Sequence, residues 1–274
     1  MHIEVFDSTD PPWRADDSVE PTIQTTMPAK SFHLDRPAAR LIAAIATLGT
    51  LAGCQAIVSS APEAHVRIIN ATPDAPRLDL YQDSNALAFN LDFGTVTSYI
   101  QLAPGAYNIT ANTAGTRQVL STAKTTFTTA GQYTVLIGNT AASLQQLTLA
   151  DQSQPAPPGQ TALRFINQAT RAGAVDIYLV PAGQKVSAIT PLVTGIAFGA
   201  NTGYVNVPTG TYSLAMLPAG TIPASTNIAS YAGPQVTYSA GAARTVILID
   251  PPLVSSPGIK VITANDFDPP GTID

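Results

Sequence analysis

Residues 66–81 read VRIINATPDAPRLDLY, and residues 163–178 read LRFINQATRAGAVDIY. At a constant offset of 97 positions, Arg67, Ile69, Asn70, Ala75, Asp79 and Tyr81 recur as Arg164, Ile166, Asn167, Ala172, Asp176 and Tyr178. A fixed internal period is the mark of a duplicated unit, so the chain is read first as two copies of one domain. Within each stretch apolar and polar residues alternate: Val66 and Ile68 flank Arg67, while Leu78 and Leu80 flank Asp79. A period of two is that of a β-strand with one face buried.

A second block extends the repeat. LDFGTVTSYIQLAPGAYNITANTAGT (91–116) aligns without a gap with IAFGANTGYVNVPTGTYSLAMLPAGT (196–221), now at an offset of 105. Phe93, Gly94, Thr97, Tyr99, Gly105, Tyr107, Ala114, Gly115 and Thr116 all recur. The eight extra residues of the second copy fall around Pro181 to Thr194 and read as a longer loop. Each copy closes on a further strand, TTAGQYTVLIGN (128–139) and SAGAARTVILID (239–250). Pro104-Gly105, Ala114-Gly115 and Ala130-Gly131 supply the turns. Seven or eight short strands in roughly 90 residues fit a sandwich of immunoglobulin-like size. The expected fold is therefore all-β, with two tandem immunoglobulin-like β-sandwiches at 65–150 and 161–265. A Pro-rich linker at 151–160 joins them, and a tail at 266–274 ends the chain. Tyr107 and Tyr212, each beside a turn, are read as packing residues.

Upstream of the repeat the composition changes. Lys30, Arg36 and Arg40 precede the uncharged run LIAAIATLGTLAG (41–53), which ends in Leu51-Ala52-Gly53-Cys54. Thirteen residues are too few to span a bilayer core of about 30 Å as a helix. A basic segment, a short apolar segment and a small-residue end are the parts of an export signal. The Leu-Ala-Gly-Cys ending resembles the lipobox of bacterial lipoprotein precursors. That resemblance implies acylation of Cys54, cleavage between Gly53 and Cys54, and anchoring to a membrane through the acyl chains. It makes 27–53 the signal peptide and 54–64 an anchor and spacer. Gln55 after the cysteine favours the outer membrane over the inner one, by the sorting rule of some Gram-negative lipoproteins. Residues 1–26 are acidic and carry Pro11, Pro12 and Pro21, a disordered composition; Met27 is read as the true start. Cys54 is the only cysteine, so no disulfide can form within the chain.

Composition excludes several functions. Charged residues make up 11% of the chain, and after Cys54 nine basic residues stand against eleven acidic ones. With no basic stripe, nucleic acid is not an expected partner. His65 is the one histidine after Cys54, too few for a zinc site built on clustered His or Cys, and a poor basis for a Ser-His-Asp triad. Glu63 is the one glutamate there, and the aspartates lie mostly beside turns. Asp74, Asp79 and Asp83, and also Asp266 and Asp268, are close enough in sequence to be weighed for calcium, but turn formation accounts for them. No catalytic residue, metal or cofactor is assigned.

HVRIINATPDAPRLDLY (65–81) also resembles the opening motif of domain-of-unknown-function family 4397. Pro73-Asp74-Ala75-Pro76 and Asp79 match that motif, while Asn70 and Thr72 stand where the family often has His and Ser. In the second copy the PDAP run has become Thr170-Arg171-Ala172-Gly173. The resemblance implies secreted or surface-attached β domains, often in tandem, and supplies no activity. The expected function is a non-catalytic, lipid-anchored envelope protein that binds or scaffolds, with a polysaccharide or another envelope protein as partner. The alternative is a carbohydrate-active hydrolase using aspartates of one domain.

Eight residues retained in both copies are assigned structural roles: Arg67, Asn70, Asp79, Tyr81, Arg164, Asn167, Asp176 and Tyr178. Arg67 and Asp79 are both expected on the face opposite the core. There they either bond to each other across adjacent strands, or the aspartate takes backbone N–H groups at a turn. The export reading is checked by mass spectrometry of the protein from a bacterial host. Its N-terminal peptide should begin at an acylated Cys54; a free thiol in a chain that still begins before residue 54 would contradict it.

Overall fold

The computed structural model describes residues 62–224, 229–252 and 258–270, which fall within one compact unit, Val58–Asp274. The expectations for 1–26, for the signal peptide 27–53 and for Gly53 and Cys54 lie outside the described residues.

The first copy contains β1 (Ala64–Asn70), β2 (Leu78–Gln82), β3 (Asn85–Leu91), β4 (Ile100–Leu102), β5 (Gly105–Thr113), β6 (Val119–Phe127), β7 (Gln132–Gly138) and β8 (Gln145–Ala150). The second contains β9 (Gln160–Asn167), β10 (Val175–Pro181), β11 (Val193–Ile196), β12 (Asn201–Pro208), β13 (Gly210–Pro218), β14 (Tyr231–Tyr238), β15 (Ala243–Ile249) and β16 (Lys260–Phe267). The only helical turns among the described residues are three-residue 3-10 segments at Ala141–Ser143 and Val186–Ala188.

Each copy is a sandwich of two four-stranded sheets. The orders β4-β1-β7-β8 and β3-β2-β5-β6 in the first are repeated as β12-β9-β15-β16 and β11-β10-β13-β14 in the second. Even the one parallel pairing recurs, β1 with β7 and β9 with β15. The core of the first sandwich gathers Val66, Ile68, Leu78, Leu80, Ile109, Phe127, Val135 and Ile137. That of the second gathers Leu163, Phe165, Val175, Ile177, Met216, Val246 and Leu248.

The two sheets of a sandwich differ in pattern because they differ in burial. In β5, Ile109 and Ala111 face the core, whereas Asn108 and Thr110 face outward. In β7 and β15 the alternation fails: TVLIG and TVILI are buried at every position. A strand reads this way only when both of its faces are covered. The cover is the other sandwich. Ile69, Ala71, Leu136 and Leu149 of the first copy form one apolar cluster with Ile166, Ile247, Ile249, Ile262 and Ala264 of the second. Each such large side chain taken from water contributes about 1.5–3 kcal/mol. Gly138 belongs to this contact too, since a Cβ there would lie 2.2 Å from Gln168 Oε1 across the junction.

The segment expected as a spacer at 151–160 packs against the second sandwich. The Ala156 N–H donates to Gly241 O at 2.9 Å, and its side chain clusters with Ala162 and Ala243. β16 runs through Phe267, so Asp266, expected in the tail, is a buried strand residue. The extra loop of the second copy folds back on its own domain. Val186 and Ile189 pack on Tyr178, Val180, Ala215 and Leu217, on the outer face of β10 and β13.

Candidate functional site

The junction between the sandwiches holds both buried arginines found among the described residues. Arg67 on β1 is 2% exposed. It points away from its own core, as its alternation with Val66 and Ile68 requires. Its Nε donates to Thr134 Oγ1 at 2.8 Å, and its Nη1 donates to the Asn265 carbonyl of the other sandwich at 2.7 Å. Its Nη2 is bonded to Asp266 Oδ1 and lies 3.6 Å from Asp151 Oδ2. Arg164 on β9 repeats the arrangement in reverse. Its Nε donates to Thr245 Oγ1 at 2.9 Å, its Nη1 to Ala150 O at 2.9 Å and its Nη2 to Asp151 Oδ1 at 2.5 Å. Each arginine thus lies on one sandwich and bonds the terminal aspartate of the other.

The aspartates are held at home by matching groups. Asp151 Oδ2 accepts from Tyr99 Oη at 2.8 Å and from Thr134 Oγ1 at 2.6 Å. Asp266 Oδ2 accepts from Tyr204 Oη at 2.8 Å and from Thr245 Oγ1 at 2.6 Å. Each guanidinium also lies over a tyrosine ring, 4.9 Å from Tyr99 for Arg67 and 4.7 Å from Tyr204 for Arg164. Two cations and two carboxylates, with side chains at most 3% exposed, make a set of zero formal charge. Burial raises the Asp266 carboxyl above the usual carboxylate range, with Arg67 pulling the other way. Burial likewise raises the phenols of Tyr99 and Tyr204, so both stay protonated donors.

Asp79 and Arg67 bond to different partners. The Asp79 carboxylate accepts the N–H of Asn90 at 2.7 Å and of Gly115 at 2.8 Å, tying together two turns. Asp176 does the same with Gly195 at 2.7 Å and Gly220 at 2.9 Å. Asn90, Gly115, Gly195 and Gly220 all have positive φ, so the aspartate stabilises turns that most residues adopt at a cost. This is the turn alternative of the sequence reading; the direct Arg67–Asp79 bond is replaced by bonds across the junction.

The asparagines also close turns. Asn70 Nδ2 donates to Leu91 O at 3.2 Å and its Oδ1 accepts from Thr72 N at 3.1 Å. Asn167 Nδ2 donates to Ile196 O at 2.9 Å and its Oδ1 accepts from Ala169 N at 2.9 Å. Tyr178 is 2% exposed beneath the extra loop of its domain. Tyr81, its counterpart, has no such loop. It stands half-buried on the outer face of the β3-β2-β5-β6 sheet, edge-on to Phe89 with ring centroids 6.0 Å apart. Phe89 is 61% exposed. Beside Tyr81 the Thr110 and Thr122 hydroxyls are 3.2 Å apart, and Asn108 bonds Asp83. Positions filled by Ala215 and Leu217 in the second domain are Thr110 and Asn112 in the first, so this face is polar where the other is apolar. Among the described residues no three His, Cys, Asp or Glu side chains are grouped to hold a metal.

Residues 64–178 match the family model of the domain of unknown function DUF4397. The DUF4397 match opens at the first residue of β1 and ends at Tyr178, within β10. It covers the whole first sandwich, Asp151 and Arg164, and so spans the junction. No curated protein matches the chain. Among solved structures the chain is similar to CBMbc, a family CBM26 module from Eubacterium rectale Amy13K in complex with maltoheptaose. The identity is 11%, the match covers 76% of this chain and 98% of that one, and the TM-score is 0.21. It is also similar to a streptococcal virulence factor described as binding alpha-glucan, with 11% identity, 67% and 92% coverage and a TM-score of 0.20. At such TM-scores the likeness carries no argument about ligand.

Sequence reasoning retained both arginines but missed Tyr99, Thr134 and Asp151, and Tyr204, Thr245 and Asp266, as their partners. A third repeat block was there to be found: LTLAD (147–151) and ITAND (262–266) align at an offset of 115.

Removing one member of a buried ion pair leaves the other uncompensated. Arg67→Met is therefore expected to destabilise the protein by about 3–5 kcal/mol at neutral pH. The loss should depend on pH with a definite sign. Without Arg67, the folded-state pKa of Asp266 rises further above its unfolded value. The stability linked to that group is present at low pH and lost as pH rises through the folded value. Urea denaturation at several pH values should show the gap between Arg67→Met and the parent widening as pH rises; a constant gap would contradict it.

Proposed function

We propose that this chain is a non-catalytic binding protein of the cell envelope, with a polysaccharide as ligand. The reading has it held to a membrane, the outer one by preference, through acyl chains on Cys54. The observation that carries it is the Tyr81–Phe89 pair. Phe89 presents its ring to solvent beside the Tyr81 ring, an apolar surface that a partner can cover. Sugar rings have apolar faces that stack on flat side chains and hydroxyls that bond to neighbouring polar groups. The Thr110, Thr122, Asn108 and Asp83 side chains around the pair supply those polar groups.

The hydrolase alternative has less support. It needs an acid and a base facing one substrate, roughly 5–10 Å apart. The two carboxylates brought together here, Asp151 and Asp266, have fully buried side chains, each engaged by arginine, tyrosine and threonine. Asp79 and Asp176 are occupied by turn N–H groups.

A glycan array probed with the protein tests the proposal. Phe89→Ala changes one exposed side chain, so the melting temperature should stay within a few degrees of the parent. Glycan affinity should fall roughly five- to tenfold, as stacking losses of about 1–1.5 kcal/mol require. Equal binding by Phe89→Ala, or no glycan bound by the parent, would overturn it.

A further inference from the structure

The two copies differ at one edge in a way that opens a cavity. In the first sandwich, Tyr133 on β7 fills the gap between the edge strands β6 and β8. Its ring lies 5.2 Å from that of Phe127, and its hydroxyl is bonded to Thr128. A Cβ at Gly131 would lie 2.5 Å from the Tyr133 ring, so the ring needs glycine beneath it. Gln146 closes the same edge by donating to Ser121 Oγ at 2.8 Å and Ile109 O at 3.2 Å.

In the second sandwich all three of these residues have changed. The register places Arg244 where Tyr133 stands, Ala242 where Gly131 stands and Val261 where Gln146 stands. Arg244 lines the gap rather than filling it, with its Nη1 donating to Phe267 O at 2.9 Å and to Ala243 O at 3.1 Å, and its Nη2 paired with Asp268. What remains is a cleft of about 390 Å³ between β14 and β16. That falls in the range of about 300–1,000 Å³ typical of small-ligand pockets. Tyr238 and Val236 give it an apolar wall, while Thr263 and Asn265 on β16 give it hydroxyl and amide groups; the Thr161 hydroxyl already donates to Ser239 O, and that of Thr237 is bonded to Thr211.

We propose that this cleft binds one uncharged sugar residue, at a site separate from the Tyr81–Phe89 face and independent of that reading. The class follows from the lining. Hydroxyls and an amide both donate and accept, as sugar hydroxyls do. The apolar wall offers a surface to a ring face. The one cation among the lining residues, Arg244, is already paired with Asp268, so the pair leaves no net charge with which to select an anion.

Saturation-transfer NMR on the full chain, with methyl α-glucoside and glucuronate as probes, tests the site. The parent should transfer to the glucoside and not to glucuronate. The double substitution Ala242→Gly with Arg244→Tyr installs the pair that fills this gap in the first domain. In a Phe89→Ala background it should abolish transfer, as should Thr263→Trp, which blocks the cleft from its exposed rim. Phe89→Ala should leave transfer intact, which separates this site from the aromatic face. Absence of transfer from the parent, preference for glucuronate, or undiminished transfer from either blocked variant with a parent-like melting temperature would overturn the assignment.

Discussion

Arg67 and Arg164 each sit on a strand whose two faces are both covered, and a guanidinium there must find a carboxylate or cost several kcal/mol. The aspartate that each guanidinium hydrogen-bonds comes from the other sandwich, and Asp151 also lies 3.6 Å from Arg67 of its own. Asp266 is reached only if the second sandwich lies against the first, and Asp151 meets Arg164 under the same condition. The reciprocity is that of an isologous dimer interface, with both halves on one chain. Apolar burial around Ile69, Ile166, Leu136 and Ile247 supplies the bulk of the attraction. It is non-directional and would tolerate sliding. The arginine bonds accept one registration, because guanidinium geometry and the tyrosine and threonine supports leave few alternatives.

Duplication explains why such an interface is available. A domain whose outer sheet face attracts a second copy of itself becomes, once duplicated, a covalent pair. The junction keeps Arg, Tyr, Thr and Asp in both copies, and the turns keep Asn and Asp, whereas one outer sheet face and one edge have diverged. The loop around Val186–Ala188 covers the outer face of one domain, while its counterpart keeps Tyr81 and Phe89 uncovered. Tyr133 fills one edge, and Arg244 leaves the other open. Symmetry holds where the halves meet and is broken where the molecule meets its surroundings.

Much of this was legible in the sequence, for a physical reason: strand alternation and turn residues are local, and duplication writes them twice. The two sandwiches, the turns at Gly105 and Gly115, and the outward direction of Arg67 all followed from period and repeat. The partner of Arg67 did not. Asp79, twelve residues away, was the near candidate, while the bonded Asp266 lies 199 positions on. Position on a strand predicts which way a side chain points, not which strand of another domain it meets. Asp151 was hidden among the prolines that follow it, and Asp266 near the end of the chain, where composition reads as linker and tail. The unbroken apolar runs of β7 and β15 were the one overlooked hint that a sheet was covered on both faces. Phe89 carried no repeat signal, since Thr194 stands at its place in the second copy.

If the reciprocal Arg–Asp exchange makes one rigid body of the two sandwiches, they must unfold together. Differential scanning calorimetry measures this directly. The account predicts one transition whose calorimetric and van't Hoff enthalpies agree, although the chain contains two complete sandwich cores. Two resolved transitions, or a van't Hoff enthalpy near half the calorimetric one, would mean that the sandwiches are independent and the junction incidental.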